Sequence, residues 1–277
     1  MKLKPWRAKK EIKGLPYWFK YYVCNDQIEE FNPRVVELDL TNYCNMKPPC
    51  PWCQCINVFD NKAVAMTHDT YQRELEFTAV QNTHHGGCGV TIVGGGEPTI
   101  HPKWEEYIDE GCKYLESGLI SGFNLVTNGL AIDKVKYFLD NTSEPDSWVR
   151  ISVNDQPIKK NGILQLFKDY PGRIGASIIT SGVKAYIKGL KNCFILNEYA
   201  KLIRFKRPMD FKHKIKDFSP ADCQGRKLAR IVEADGNIAY CCQSRGFDGK
   251  PRPDACPEGC RWAPVTKEFA LKQNLYS

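Results

Sequence analysis

Cys44, Cys50 and Cys53 stand in the stretch TNYCNMKPPCPWC, five and then two residues apart, with Cys55 close behind. Three thiolates can hold a [4Fe–4S] cluster and leave one iron without a protein ligand, much as a catalytic zinc keeps an open position. Such an iron can take a substrate or a cofactor. The same three thiols with Cys55 would also close a zinc site, and the cysteines alone do not choose between the two. Further along, GGGEP at Gly94 to Pro98 joins glycines, which let a backbone approach closely, to a carboxylate. Glu97 there could orient either its own loop or an amino group. Ser152 and Asn154 share one face of the run ISVND and could hydrogen-bond the hydroxyls of a ribose. Together these groups suit a nucleoside that bears an amino acid.

Such groups must be brought together by the elements around them. Short apolar, β-rich runs begin at Val35, Val90, Phe123, Val149, Ile174 and Lys201. Segments of helical period lie between them, at about 68–82, 132–141, 161–169 and 182–196. Another, in HPKWEEYIDEGCKYLESG, sets Trp104, Tyr107, Ile108, Cys112 and Leu115 on one face and ends at Gly118, a residue suited to a helix C-terminus. Six strands alternating with helices predict a parallel sheet built of βαβ units, either curved or doubly wound. The cysteine stretch, GGGEP, the TNG at Thr127 to Gly129 and ISVND then fall at the carboxyl ends of four consecutive strands. That edge of a parallel α/β sheet is where the βα loops gather and active sites are built.

After Pro220 the pattern changes. ARIVEADGNIAYCC reads as two alternating runs joined by Asp235-Gly236, a pair that accepts the positive φ of a tight hairpin turn. Cys223, Cys241, Cys242, Cys256 and Cys260 all lie in this last part, so a small cysteine-rich domain is expected from about residue 210. Cys24, Cys88, Cys112 and Cys193 are expected to be core residues. His84 and His85 are given no role.

At 277 residues and 42% hydrophobic, the chain can bury a sizeable core. No run of about 18 apolar residues is present, and MKLKPWRAKK lacks the apolar stretch of a secretory signal. The expectation is a cytoplasmic protein without a membrane span. Thirteen cysteines in a reducing compartment serve metals or catalysis more often than disulfides. The net charge of +7 is concentrated in residues 1–22, where seven Lys and Arg face Glu11 alone. A second basic stretch runs from Lys201 to Lys216. Basic residues interleaved with Trp6, Tyr17 and Trp18 could contact nucleic acid or an acidic peptide, or could form a solvated arm whose aromatics pack on the main domain.

These motifs, in this order, resemble the radical S-adenosylmethionine superfamily over roughly residues 35–208. Its members carry three cluster cysteines after the first strand with an aromatic residue before the third, here Trp52, which the resemblance places near the adenine. They carry GGEP after the second strand, matched by Gly95, Gly96, Glu97 and Pro98 and expected to bind the methionyl amino group. Asn128 of VTNG, with Ser152 and Asn154, completes the expected cofactor site. The usual spacing of the first two cysteines is three residues, whereas five separate them here, with Pro48 and Pro49 inserted, and Cys55 is a substitute ligand to weigh. The resemblance implies an α/β fold: a partial (β/α)6 barrel over 34–209, preceded by a basic aromatic arm over 1–33.

Cys223, Gly236 and Cys241 are similar in spacing to the opening of the SPASM and twitch domains that hold auxiliary clusters in the same superfamily. The resemblance then implies a small C-terminal cysteine-rich β-hairpin domain over 210–277, with Cys223, Cys241, Cys256 and Cys260 around one auxiliary [4Fe–4S] cluster. Cys242 is the alternative to its neighbour, and a four-cysteine zinc ribbon is the other reading of the group. The implied reaction is reductive cleavage of S-adenosylmethionine to a 5′-deoxyadenosyl radical that takes a hydrogen atom from the substrate. The expected partners are a peptide or small polyhydroxylated substrate and a reductant such as flavodoxin or ferredoxin, with nucleic acid kept open. A zinc protein that binds nucleic acid is the non-enzymatic alternative.

Overall fold

The structure, a computed structural model, describes residues 35–47, 63–142, 147–152, 162–177, 194–195 and 229–239. Within them β-branched and aromatic runs form strands β1 (Val35–Asp39), β2 (Gly89–Val93), β3 (Phe123–Thr127), β4 (Val149–Ser152) and β5 (Ile174–Ser177). Between them come helices α1 (His68–His85), α2 (Trp104–Glu116), α3 (Ile132–Asn141) and α4 (Ile163–Asp169). Three short strands follow, β6 (Phe194–Ile195), β7 (Ala229–Val232) and β8 (Ile238–Ala239).

All belong to one sheet, in the order β6-β5-β4-β3-β2-β1-β7-β8. Every pairing is parallel except β7 with β8. From β1 to β6 spatial order follows chain order with no reversal. A doubly wound sheet needs such a reversal to place helices on both faces. Without one, right-handed crossovers put successive helices on the same side. The core agrees: Val36, Leu38, Val90, Ile92, Leu125 and Ile151 pack in one cluster with Tyr71, Leu75, Trp104, Ile108, Phe138 and Leu166 from the four helices. The arrangement is an α/β fold with a parallel sheet flanked by helices, compatible with a partial barrel.

Local chemistry explains the helix ends. Thr67 caps α1, its hydroxyl accepting the backbone N–H of Thr70 at 3.3 Å. The predicted face of α2 is the buried one, with Trp104, Tyr107, Ile108 and Cys112 inside and Leu115 packed partly against them. Gly118, at φ +69, lies just past its end as expected. A Cβ at Gly111 would overlap the Phe123 ring, so this glycine sets how closely α2 approaches β3. Burial pushes the Cys112 thiol up to about 12, and with Cys88 fully buried both behave as the core residues they were read to be.

One element differs from the sequence reading. The segment 182–196 has helical spacing, yet Phe194 and Ile195 form β6, paired with Gly175 and Ala176 of β5. A short apolar run such as CFIL fits helix or buried strand by pattern alone, and the free edge of β5 supplies the hydrogen bonds that decide. The strand expected at Lys201 lies outside the described residues, as does the basic arm 1–33. The hairpin at Asp235-Gly236 is present, with Gly236 at φ +86. Its first strand extends the main sheet, Val35 to Leu38 pairing with Ala229 to Val232. Arg230 secures this seam by a two-point ion pair with the fully buried Glu74 of α1, at 2.7 and 3.1 Å, and stacks on Phe77.

Candidate functional site

The loop after β1 leaves and returns through a hydrogen-bonded neck. Thr41 bridges Ala65 in antiparallel fashion. Met66 N donates to Leu40 O at 2.8 Å and Asn42 N to Val64 O at 3.1 Å. The side chains reinforce this, Thr41 Oγ1 donating to Val64 O at 2.9 Å and Asn42 Oδ1 accepting from Val64 N at 2.8 Å. Cys44, Cys50, Cys53 and Cys55 all lie on the chain between the two sides of this neck, so a loop of fixed base carries them. Below the neck, Met66 O accepts from Tyr107 Oη at 2.8 Å and contacts His101 Nε2 at 3.2 Å. Lys103 N donates to His101 Nδ1 at 3.2 Å, which leaves Nε2 as the protonated nitrogen of a neutral ring. Burial, the larger cause, and Lys103 both lower the His101 pKa, against the opposing pull of the Met66 carbonyl.

GGGEP docks on the cysteine loop through its backbone. Gly96 N donates to Thr41 O at 3.0 Å and Glu97 N to Tyr43 O at 2.7 Å. A Cβ on Gly96 would overlap the Tyr43 carbonyl, and one on Gly94 would overlap the Gly96 carbonyl. The glycines are there because two backbones pass in contact.

Glu97 then joins this loop to the next. It is buried, and its Oε1 accepts from Thr99 N at 3.1 Å, Thr99 Oγ1 at 2.6 Å and Thr127 Oγ1 at 2.6 Å. Its Oε2 accepts from Asn128 N at 2.7 Å. Burial pushes the Glu97 pKa up, and the four donors pull it back. Of the two roles open to this carboxylate in the sequence, orienting the loop is the one its partners fulfil.

Asn128 closes the circuit. Its Nδ2 donates to Asn45 Oδ1 at 2.8 Å and lies 3.8 Å from Cys44 Sγ, and its Oδ1 accepts from Leu130 N at 2.9 Å. Hydrogen bonds to ligating sulfurs are among the contacts that tune an iron–sulfur cluster. Cys44, Gly95, Gly96, Glu97, Pro98 and Asn128 are therefore gathered on one patch of the carboxyl edge. Ser152 ends β4 one residue beyond Ile151, which pairs with Thr127, so it borders this patch at the level of Asn128. Trp52, Cys50, Cys53, Asn154, Cys223, Cys241, Cys256 and Cys260 lie outside the described residues.

Asn45, Thr99 and Thr127 belong to the same network, and no motif assigns any of them a role, although Asn45 stands in the cysteine stretch and Thr127 opens TNG. Their signal is faint: an Asn beside the first cysteine, and a Thr two residues after the Glu. Among the described residues, no helix is long and apolar enough to cross a membrane. The chain matches no protein-family model and no curated protein.

Proposed function

We propose that this chain is a radical S-adenosylmethionine enzyme, built on a partial (β/α)6 barrel and acting in the cytoplasm. The observation that carries the reading is the hydrogen-bonded circuit from Cys44 through Asn128 and Glu97 to Gly96. Motifs far apart in sequence, each matching one part of a cluster and cofactor site, touch one another at the sheet edge where such a site belongs. The residues present fit a cluster: a half-buried thiol with an amide donor toward its sulfur, on a loop of fixed base.

In this reading Cys44, Cys50 and Cys53 would hold a [4Fe–4S] cluster, with S-adenosylmethionine bound beside it. When bound, that pair supplies an electron and a 5′-deoxyadenosyl radical able to take hydrogen from an unactivated carbon. The chain's own work is placement. Gly95 and Gly96 offer backbone groups at close approach, Glu97 holds their loop against Thr127 and Asn128, and Trp52, Ser152 and Asn154 receive the adenine and ribose. A rigid first shell keeps the reacting carbon near the cofactor and excludes water, where most of the protein's contribution to such chemistry lies.

Cys223, Cys241, Cys256 and Cys260 in the same reading would hold an auxiliary [4Fe–4S] cluster, which would supply an acceptor for an electron from the substrate. The hairpin between Cys223 and Cys241 joins the main sheet along β1, with its Asp235-Gly236 turn at the carboxyl edge. The test is the metal content of anaerobically prepared protein. About eight iron and eight sulfide per chain are expected, falling by half in Cys44→Ala and likewise in Cys223→Ala/Cys256→Ala. Stoichiometric zinc without sulfide would replace this reading by that of a zinc protein.

A further inference from the structure

The turn after β3 fixes Asn128 closely. Its backbone N–H donates to Glu97 Oε2 at 2.7 Å. Its Oδ1 accepts from Leu130 N at 2.9 Å, the short loop that an Asn closes on the backbone two residues on. Gly129 follows at φ +73 with its N–H on Thr127 Oγ1 at 3.0 Å, and a Cβ there would overlap the Ile151 side chain. The turn therefore has one course, and it carries the Asn128 side chain, 7% exposed, to the cysteine loop.

The same contacts set which end of the amide faces the sulfur. The oxygen is turned to Leu130 N, so the N–H₂ end faces the loop. Nδ2 donates to Asn45 Oδ1 at 2.8 Å and stands 3.8 Å from Cys44 Sγ. Bracing the loop needs only the first of these contacts. The second puts the positive end of a dipole beside the sulfur.

We infer that Asn128 is a positioning residue for the metal centre, directing an N–H at the Cys44 sulfur and making the cluster there easier to reduce. The inference rests on the proposed cluster at Cys44, Cys50 and Cys53, and it turns the Asn128 side chain toward the cluster rather than toward the cofactor. Reduction by one electron adds negative charge, part of which falls on the ligating sulfurs. A donor beside one of them is then worth more after reduction than before, which raises the potential.

The test is a redox titration of the full chain loaded with iron and sulfide, followed by EPR, with dithionite as the reductant. The signal that changes when S-adenosylmethionine is added reports the Cys44 cluster. Asn128→Leu, close to Asn in size and without a donor, should lower the ratio of reduced to oxidised cluster at a fixed potential about 3- to 10-fold, a downward shift of about 28–59 mV for one electron. A purely bracing role gives the opposite sign, because a loosened loop admits water, which favours the more highly charged reduced form. An unchanged or raised potential in Asn128→Leu would overturn the inference. Where that variant assembles no cluster, the parent chain decides. With its asparagine side-chain amides isotopically labelled at nitrogen, pulsed EPR of the reduced parent should show coupling to an amide nitrogen, and its absence would equally overturn the inference. A parent chain that takes up no cluster by iron and sulfide count ends the proposed function and this inference together, whereas a loaded parent without the coupling ends the inference alone.

Discussion

Glu97, four residues past the end of β2, accepts the hydroxyl of Thr127, the last residue of β3, at 2.6 Å. This one contact fixes two strand-end loops to each other, and Asn128 then carries the link to Asn45 and Cys44. The site is held as a unit, so disturbing any member should be felt at the others.

Replacing Glu97 by Gln sets an amide N–H₂ among four donors and leaves some of them without an acceptor. Hydrogen bonds to a charged group are worth about 1.5–3 kcal/mol each, so a loss of at least ~2 kcal/mol is expected in urea unfolding. Thr127→Val, which removes one donor of the four, should cost less. Equal stability of Glu97→Gln and the parent would mean that the carboxylate does not hold the loops.

Gly96→Ala places a methyl group where the Tyr43 carbonyl sits. The two loops must then part, which breaks the Gly96 to Thr41 and Glu97 to Tyr43 hydrogen bonds. The variant is expected to keep its sheet by circular dichroism and to lose iron binding at Cys44. Normal iron content in Gly96→Ala would show that the loops do not depend on this contact.

The β1–β7 seam makes a third test. Arg230→Met leaves Glu74, fully buried on α1, with only the exposed Arg73 beside it among the described residues. Breaking a buried pair from one side costs about 3–5 kcal/mol, whereas replacing both members by apolar residues is often nearly neutral. Arg230→Met should therefore unfold early, and the double variant Glu74→Leu/Arg230→Met should recover most of the loss. A double variant no better than the single one would place the energy of the seam elsewhere.

Burial keeps the His101 pKa below its ordinary value of about 6.5. As pH falls through 6.5, the unfolded chain takes up a proton that the folded chain resists, so stability should drop from pH 7 toward pH 6. His101→Gln cannot titrate and should show a flatter dependence, measured as Tm against pH. An identical slope in the variant would remove His101 as the cause.

Much of this arrangement is legible in the residues themselves. VVELD, GVTIV, FNLVT and VRIS announce strands β1 to β4 because their apolar and β-branched residues recur at strand period. Asp235-Gly236 announces a turn because glycine tolerates the positive φ that the hairpin requires. Phe194 and Ile195 fit a helical pattern in the sequence because a two-residue strand has no period of its own and exists through its pairing with β5. The partnership of Glu97 with Thr127 and Asn128 spans 30 and 31 positions. No local pattern encodes such a contact; it appears only when β2 and β3 lie side by side. The joining of β7 to β1 is hidden for the same reason, although the turn beside it was plain.

The central claim is that Cys44, Cys50 and Cys53 make an iron–sulfur site that cleaves S-adenosylmethionine. Its most direct measurement is deoxyadenosine formed when the anaerobic, reduced protein is given S-adenosylmethionine. The account predicts deoxyadenosine and methionine in equal amounts from the parent chain, none from Cys44→Ala, Cys50→Ala or Cys53→Ala, and most of the parent's yield from Cys55→Ala. An iron-loaded parent chain that forms no deoxyadenosine, or a Cys50→Ala variant that still forms it while Cys55→Ala does not, would contradict it.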